Sequence, residues 1–300
     1  MKVLVTGGTG LIGRNLQELK PEYIYLGSKD CDLLDYNKTY EIIKQYSPDI
    51  IIHLAGNVGG LFKNMNGNLQ LYLDNMDINR NVLRAAHENK VQRLICCLST
   101  CIFPDDHGKI LEADDLHKGP PHGSNYGYAY AKRMMEVLCR LYNETYGYNY
   151  QCIVPTNIYG KYDNFNLDAA HVMPALIHKA YIQTQNNSDT LYIRGTGKPL
   201  RQFIYAPDIC KIIVEILENS EYINKKIILC TDPNEVSIYD VSRIIANNFE
   251  LDKIETIDNV DGQYKKTTDT DFKDFKFTKI EEGLKQTIEW FKNNYDLVRK

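Results

Sequence analysis

The 300-residue chain carries 35 basic and 39 acidic side chains, a formal net charge of −4, which excludes the basic footprint of a nucleic-acid or membrane-surface binder. Its eight cysteines, at 31, 96, 97, 101, 139, 152, 210 and 230, include no Cys-x-x-Cys pair, so neither a zinc ribbon nor a dithiol redox centre is expected and no metal is assigned. No run approaches the ~18 consecutive apolar residues of a membrane span and no basic-then-apolar leader opens the chain, so the expectation is a soluble, cytoplasmic, thiol-reduced protein.

From the first residues onward, short apolar runs alternate with helical patterns. Lys2–Thr6 reads as a buried strand, and Leu11 opens a helix. The strand signal recurs at Tyr23–Leu26, Ile50–Leu54, Leu94–Leu98 and Cys152–Val154, with helical stretches near 36–46, 74–89 and 125–146 between them. Strands apolar on both faces, alternating with helices, imply a parallel sheet covered on both sides. After about residue 160 the pattern loosens. The polar stretch Gln183–Asp189 and the Gly195-Thr196-Gly197 turn mark a different lobe. Phe203–Tyr205, a helix near 207–219 and Lys226–Leu229 read as a return to the main sheet. Ser237 starts another helix, and a last amphipathic one runs from about Lys279. The fold class is therefore α/β, a Rossmann-type doubly wound parallel sheet with a smaller C-terminal α/β lobe. Residues 1–163 and 202–231 are assigned to the dinucleotide-binding domain, and 164–201 and 232–300 to a substrate-binding lobe.

Thr6-Gly7-Gly8-Thr9-Gly10-Leu11-Ile12-Gly13 follows the first strand directly and opens a helix. Glycines there allow a tight turn, close approach of a diphosphate to backbone amides, and close helix–strand packing, with the helix N-terminus facing the phosphates. Gly7, Gly8, Thr9, Gly10, Leu11, Ile12 and Gly13 are the first cofactor residues. The spacing is G-x-x-G-x-x-G, a variant of the usual fingerprint. Past the second strand stands Gly27-Ser28-Lys29-Asp30. Ser28 and Lys29 suit the 2′-phosphate of NADP, with Lys29 as a point charge. The alternative is a solvated turn in which Asp30 serves the ribose of NAD. NADP is favoured, and Asp32, beside Leu33, is a candidate adenine contact.

Tyr128 and Lys132 lie one helical turn apart and share a face. A lysine there is expected to favour the phenolate, letting Tyr128 exchange a proton near neutral pH. Ser99, at the end of the fourth strand, is placed to bind a substrate oxygen. The spacing alone is unspecific, because Tyr-x-x-x-Lys also occurs at Tyr25/Lys29, Tyr40/Lys44 and Tyr222/Lys226. Tyr128 differs in following both a glycine fingerprint and a strand-end serine.

The glycine run, Ser99 and Tyr128-x-x-x-Lys132 resemble the extended short-chain dehydrogenase/reductases. Longer strings narrow the likeness: His53-Leu54-Ala55, Val58-Gly-Gly-Leu-Phe62, Ser99-Thr-Cys-Ile-Phe-Pro104, Pro155-Thr-Asn-Ile-Tyr-Gly160, Asp163-Asn-Phe165, His171-Val-Met-Pro174 and Gly195-Thr-Gly197. Together they resemble the GDP-L-fucose synthase family, NADPH-dependent 3,5-epimerase/4-reductases of GDP-4-keto-6-deoxymannose, nearly end to end, to Asp261-Gly262 and the helix around Trp290. The resemblance implies that Cys101 and His171 are the epimerisation pair and that Ser99, Tyr128 and Lys132 serve the reduction. It adds Leu54, Ala55, Pro155, Thr156, Asn157, Ile158 and His171 to the cofactor site, the 155–158 loop lining the nicotinamide. It implies Lys179, Arg201 and Asp261 as nucleotide-sugar ligands, with Arg194 where some members have tryptophan. It also implies a homodimer joined through the helices near 74–89 and 125–146.

The chemistry of the pair is coherent in itself. C3 and C5 flank the C4 ketone, so removing either proton gives an enolate that the carbonyl stabilises. Inversion then requires a proton taken from one face and returned to the other, work suited to a thiol near pKa ~8.5 and an imidazole near ~6.5. Taken alone, Cys101 reads as a small buried residue and His171 as a surface helix start. A second enzyme reading is another nucleotide-sugar epimerase or dehydratase that retains bound NAD, against which Cys101, His171 and Lys29 stand. A third is a catalytically inactive sugar-nucleotide sensor, against which all five catalytic side chains stand.

Overall fold

The side chains of the first strand divide between two layers: Leu4 enters one apolar cluster, Val3 and Val5 the other. That period of two decides the architecture, since both faces of the strand are buried. The computed structural model describes residues 1–60, 64, 66–105, 108–258, 261 and 263–300. Leu61 and Phe62 of the Val58–Phe62 string therefore lie outside the described residues.

The first half runs β1 (Val3–Thr6), α1 (Leu11–Leu19), β2 (Ile24–Leu26), α2 (Tyr36–Tyr46), β3 (Ile50–His53), α3 (Asn68–Glu88), β4 (Arg93–Cys97), β5 (Ile110–Leu111), α4 (Tyr126–Tyr146) and β6 (Asn149–Pro155). The second half runs β7 (Asn157–Tyr159), α5 (Val172–Gln185), β8 (Thr190–Ile193), β9 (Leu200–Tyr205), α6 (Ala206–Glu218), β10 (Ile227–Cys230), β11 (Glu235–Ser237), α7 (Ile238–Asn248), β12 (Lys253–Thr256), β13 (Thr267–Thr268) and α8 (Ile280–Asn293).

The main sheet has the order β10-β6-β4-β3-β1-β2, every neighbouring pair parallel. Ile43 of α2, Leu83 and Ala86 of α3 and Met135 and Cys139 of α4 pack on one face. Leu16 of α1 and Ile209, Ile213 and Ile216 of α6 pack on the other. Strand order reverses between β1 and β3, so a crevice opens beyond their carboxyl ends. Ligands of doubly wound sheets bind at such a switch point. Among the described residues, no helix is long and apolar enough to cross a membrane.

Two expectations need correction. Phe203–Tyr205 does not return to the main sheet. The chain leaves that sheet after Pro155, and β7 pairs in parallel with β9, which in turn pairs antiparallel with β11. Asn157 reinforces this pairing by donating to the Gln202 carbonyl at 2.9 Å. Only β10 returns. The third helix starts at Asn68 rather than near 74. It carries Asn75, Asn79 and Asn81, all buried, and these polar residues interrupt the apolar periodicity from which helices are read. Each is satisfied: Asn75 donates to the Leu71 and Asn57 carbonyls, Asn79 to that of Ala131, and Asn81 to those of Leu33 and Leu34.

A third apolar cluster gathers Phe165, Met173 and Ile177 beside α5 with Leu191, Phe203, Tyr205, Val241, Ile245, Leu284 and Phe291. Phe272, by contrast, packs against the main sheet with α6.

Candidate active site

The turn after β1 is built for a backbone that must approach something closely. Gly7 has φ +75°, open to glycine at little cost. A Cβ on Gly13 would stand 2.6 Å from the Gly8 Cα, so only glycine lets α1 seat on the turn. Gly10 precedes α1 in extended conformation without a side-chain cap. The first amides of α1 thus face the crevice, the arrangement that suits a diphosphate. Leu54 and Ala55 close the other wall, their backbone meeting the Gly7 position. Thr156, after β6, is buried with its Oγ1 lacking any partner among the described residues. An orphaned hydroxyl at the crevice, a glycine cradle and an uncapped helix start all fit a bound dinucleotide.

At the end of β2, the Asp30 carboxylate turns back to accept the Gly27 amide at 2.7 Å. Ser28 and Lys29 remain exposed. Asp32 likewise accepts the Leu34 amide at 3.1 Å, and Leu33 lies half-buried beside it.

Tyr128 and Lys132 come from the first two turns of α4, whose start is held where Asn68 accepts the Gly127 amide at 2.8 Å. Lys132 is 2 % exposed and donates to the Cys97 carbonyl at 2.9 Å. Its Nζ lies 5.9 Å from the Tyr128 ring centroid. Burial pushes the Tyr128 phenol well above its usual value, and the nearby Cys101 and Cys97 thiols add to the effect. Burial also lowers the Lys132 ammonium. The phenolate expected from the lysine's proximity is thus not favoured. Desolvation raises the phenol, which favours the form that donates a proton.

Ser99 and Cys101 sit on one short 3₁₀ turn, Thr100–Ile102. Ser99 Oγ accepts the Cys101 amide at 3.4 Å. Cys101 is the one cysteine of the eight that is not fully buried. Burial raises its thiol, while Ser99, Lys266, Asn125 and Lys132 pull it back down. Asn125 and Lys266 escaped the sequence reading; they reach Cys101 from distant segments, so spacing carries no trace of them.

His171 precedes α5. Its side chain is solvent-accessible, yet desolvation by the surrounding chain holds its imidazole below the usual histidine range. The loop after β3 presses on this segment: the Gly60 amide donates to Ala169 at 2.9 Å, and a Cβ on Gly60 would run into the Ala170 carbonyl. This explains the second glycine of the Val58-Gly-Gly string.

A buried polar chain under the crevice also went unread. Thr6 Oγ1 and His53 Nδ1 are 2.7 Å apart, and His53 Nε2 meets Asn79 Oδ1 at 3.1 Å. Burial and the Lys132 charge lower His53 to about 3, so it is neutral.

The expected substrate residues lie on or beside α5, β8, β9 and β12. Lys179 on α5, lowered by burial, feels Arg194 and Asp258. Arg201 on β9 is held by the carbonyls of Leu200, Gln263 and Tyr264 at 2.7, 2.5 and 3.2 Å. Asp261 engages the Thr196 amide and hydroxyl at 2.8 and 2.6 Å, bracing the glycine turn 195–197; Gly262 lies outside the described residues.

Residues 3–230 match the NAD dependent epimerase/dehydratase family. The chain is 44% identical to GDP-L-fucose synthase of Dictyostelium discoideum, covering 99% of this chain and 97% of that protein. It is 39% identical to a probable GDP-L-fucose synthase of Drosophila melanogaster, covering 100% and 99%. The crystal structure of a GDP-L-fucose synthetase from Naegleria fowleri bound to NADP superposes with a TM-score of 0.90 at 39% identity, covering 99% of this chain and 94% of that one.

Proposed function

The chain belongs to the NAD dependent epimerase/dehydratase family, and from that premise we propose that it acts as a GDP-L-fucose synthase, converting GDP-4-keto-6-deoxy-D-mannose to GDP-L-fucose by 3,5-epimerisation and 4-reduction. The observation that carries this reading is the placing of Ser99 and Cys101 on one turn with Tyr128 and Lys132 against it. Full-length similarity to GDP-L-fucose synthases supports it.

The cofactor is NADP(H), and when bound it supplies the hydride for C4. The turn Gly7–Gly13 with the first amides of α1 holds the diphosphate, and Ser28 and Lys29 hold the 2′-phosphate. Asp30, already engaged by the Gly27 amide, leaves that position to the cation. Asp32, Leu33, Leu54 and Ala55 line the adenosine half, and Pro155–Ile158 the nicotinamide half.

Ser99 donates to the C4 oxygen and orients the ketone. Cys101 and His171 exchange protons at C3 and C5, one taking and the other returning a proton on the opposite face. The Tyr128 phenol stabilises the enolate oxygen and then gives it a proton as the carbonyl is reduced. Lys132, anchored by Cys97, sets the position of the phenol and the charge behind it. Lys179, Arg194 and Arg201 serve the diphosphate and base, and Asp261 a hydroxyl of the sugar or base. Residues 1–163 and 202–231 form the cofactor domain and 164–201 and 232–300 the substrate lobe. The protein is cytoplasmic, and two copies pair through α3 and α4, on which Leu69, Leu73, Tyr126 and Leu141 are exposed.

The test supplies GDP-4-keto-6-deoxymannose and NADPH and follows cofactor oxidation and product stereochemistry. Oxidation with inversion at C3 and C5 is expected; no oxidation, or a product unchanged at both carbons, refutes the assignment.

A further inference from the structure

The turn that carries Cys101 ends in two carbonyl groups, those of Ile102 and Phe103, and each is taken by a cation from a different part of the chain. Arg133, the residue after Lys132 on α4, donates through Nε to the Ile102 carbonyl. It is 4 % exposed, its Nη2 has no partner among the described residues, and its guanidinium lies 5.4 Å from the Tyr130 ring centroid. Lys266 donates through Nζ to the Phe103 carbonyl at 3.1 Å. It arrives there because β13, the next two residues, pairs in parallel with β5, Thr267 opposite Ile110 and Thr268 opposite Leu111. Gln202 holds the same strand by accepting the Thr268 amide at 2.9 Å. At the other end of the turn, Ser99 Oγ accepts the Cys101 amide. The turn is thereby fixed at both ends.

A buried guanidinium is retained at a considerable desolvation cost, and surface solvation does not account for a cation tied to a backbone carbonyl. We propose that Arg133 and Lys266 form a two-cation clamp that fixes the turn bearing Cys101 and holds positive charge beside its thiol, making them positioning residues for proton transfer at the sugar carbons. The groups facing Cys101 are Tyr128, Lys132 and Arg133 from α4, Lys266 from the strand-bearing segment, and the neutral Ser99 and Asn125. Of these, Lys266 acts most directly on the thiol after Ser99, and Cys101 in turn raises Lys266. Asp105 and Arg201 act on Lys266 with opposite signs.

The inference rests on the epimerase reading in one respect, that Cys101 moves protons. The step balances within substrate and chain. A C–H proton passes to the Cys101 thiolate, which becomes the thiol, and the C–H electron pair becomes the enolate; the opposite partner, protonated, returns its proton to carbon, and the thiol then loses a proton to solvent while that partner regains one. A thiol displaced from neutrality transfers protons more slowly in either direction.

The test has two arms. In the first, Cys101 is alkylated by iodoacetamide as a function of pH and its peptide followed by mass spectrometry, a readout that needs no substrate. Lys266→Met, which keeps the aliphatic stem, is expected to move the alkylation midpoint upward by about one pH unit, equivalent to about a tenfold lower thiolate population at neutral pH; Lys266→Arg is expected to restore it. In the second arm, GDP-4-keto-6-deoxymannose is incubated in D2O, and deuterium incorporation at C3 and C5 is compared with NADPH binding. Lys266→Met and Arg133→Lys are expected to slow incorporation with NADPH affinity retained, thermal melting confirming the fold. An unchanged midpoint and an unchanged exchange profile in folded Lys266→Met overturn the clamp. Failure of the epimerase reading looks different: the unmodified protein itself then incorporates no deuterium, while the alkylation arm still reports on Lys266.

Discussion

Lys132 Nζ lies 5.9 Å from the Tyr128 ring centroid and is bound not to the phenol but to the Cys97 carbonyl at 2.9 Å. The lysine is therefore fixed by the end of β4, and the tyrosine is left as a buried phenol raised by desolvation. Tyr128→Phe removes the proton donor without altering packing. It is expected to lower reduction by about 10²–10⁴-fold with NADPH binding retained, measured as single-turnover cofactor oxidation against a fluorescence titration. Comparable turnover in the variant would take the donor role away from Tyr128.

Cys101 and His171 come from separate elements, a 3₁₀ turn and the start of α5. Cys101→Ser keeps the size and polarity of the side chain but raises the pKa of the acid–base group by several units. Deuterium incorporation at C3 or C5 is expected to fall by about 10²-fold or more, with cofactor affinity unchanged. His171→Asn is expected to do the same at the other proton-transfer step. Normal incorporation in either variant removes that residue from the pair.

At the end of β2, Asp30 accepts the Gly27 amide and Lys29 is exposed. Lys29→Ala removes one charge-assisted contact, expected to weaken NADPH by about 10- to 100-fold and NADH hardly at all. Equal weakening of both cofactors, measured by titration, would place the 2′-phosphate elsewhere.

Asp163 is 6 % exposed, and burial raises its carboxyl to about 7, against weaker opposing effects from the Asn164 amide and Arg299. Its Oδ1 accepts the Asn164 amide at 2.7 Å, and Oδ2 has no partner among the described residues. The folded value lies above the unfolded one, so this group's contribution is fully present below the unfolded pKa. It is lost as pH rises through about 7. Asp163→Asn is expected to flatten the stability profile between about pH 4 and 7 and to stabilise the protein at pH 8 by up to a few kcal/mol. Urea midpoints at pH 5 and 8 check this; an unchanged slope refutes it.

Much of the fold was legible because its signals are local. The alternation in β1, the glycine run and the helix from Leu11 each depend on neighbours within a few residues. The start of α3 was obscured by Asn75, Asn79 and Asn81, polar residues whose partners lie on other elements. Phe203–Tyr205 read as a main-sheet strand because an apolar run does not name its partner, and β7 claimed it.

By itself, the sequence determined the helix-covered parallel sheet, the glycine turn and the helical pairing of Tyr128 with Lys132. Each follows from spacing along a single element or from the order of neighbouring ones. Only the tertiary structure decided the direction in which Tyr128 is shifted, the engagement of Asp30 and the surroundings of Cys101. Desolvation depends on everything packed around a group, and Lys266 stands by the Cys101 turn only because Thr267 and Thr268 pair with Ile110 and Leu111.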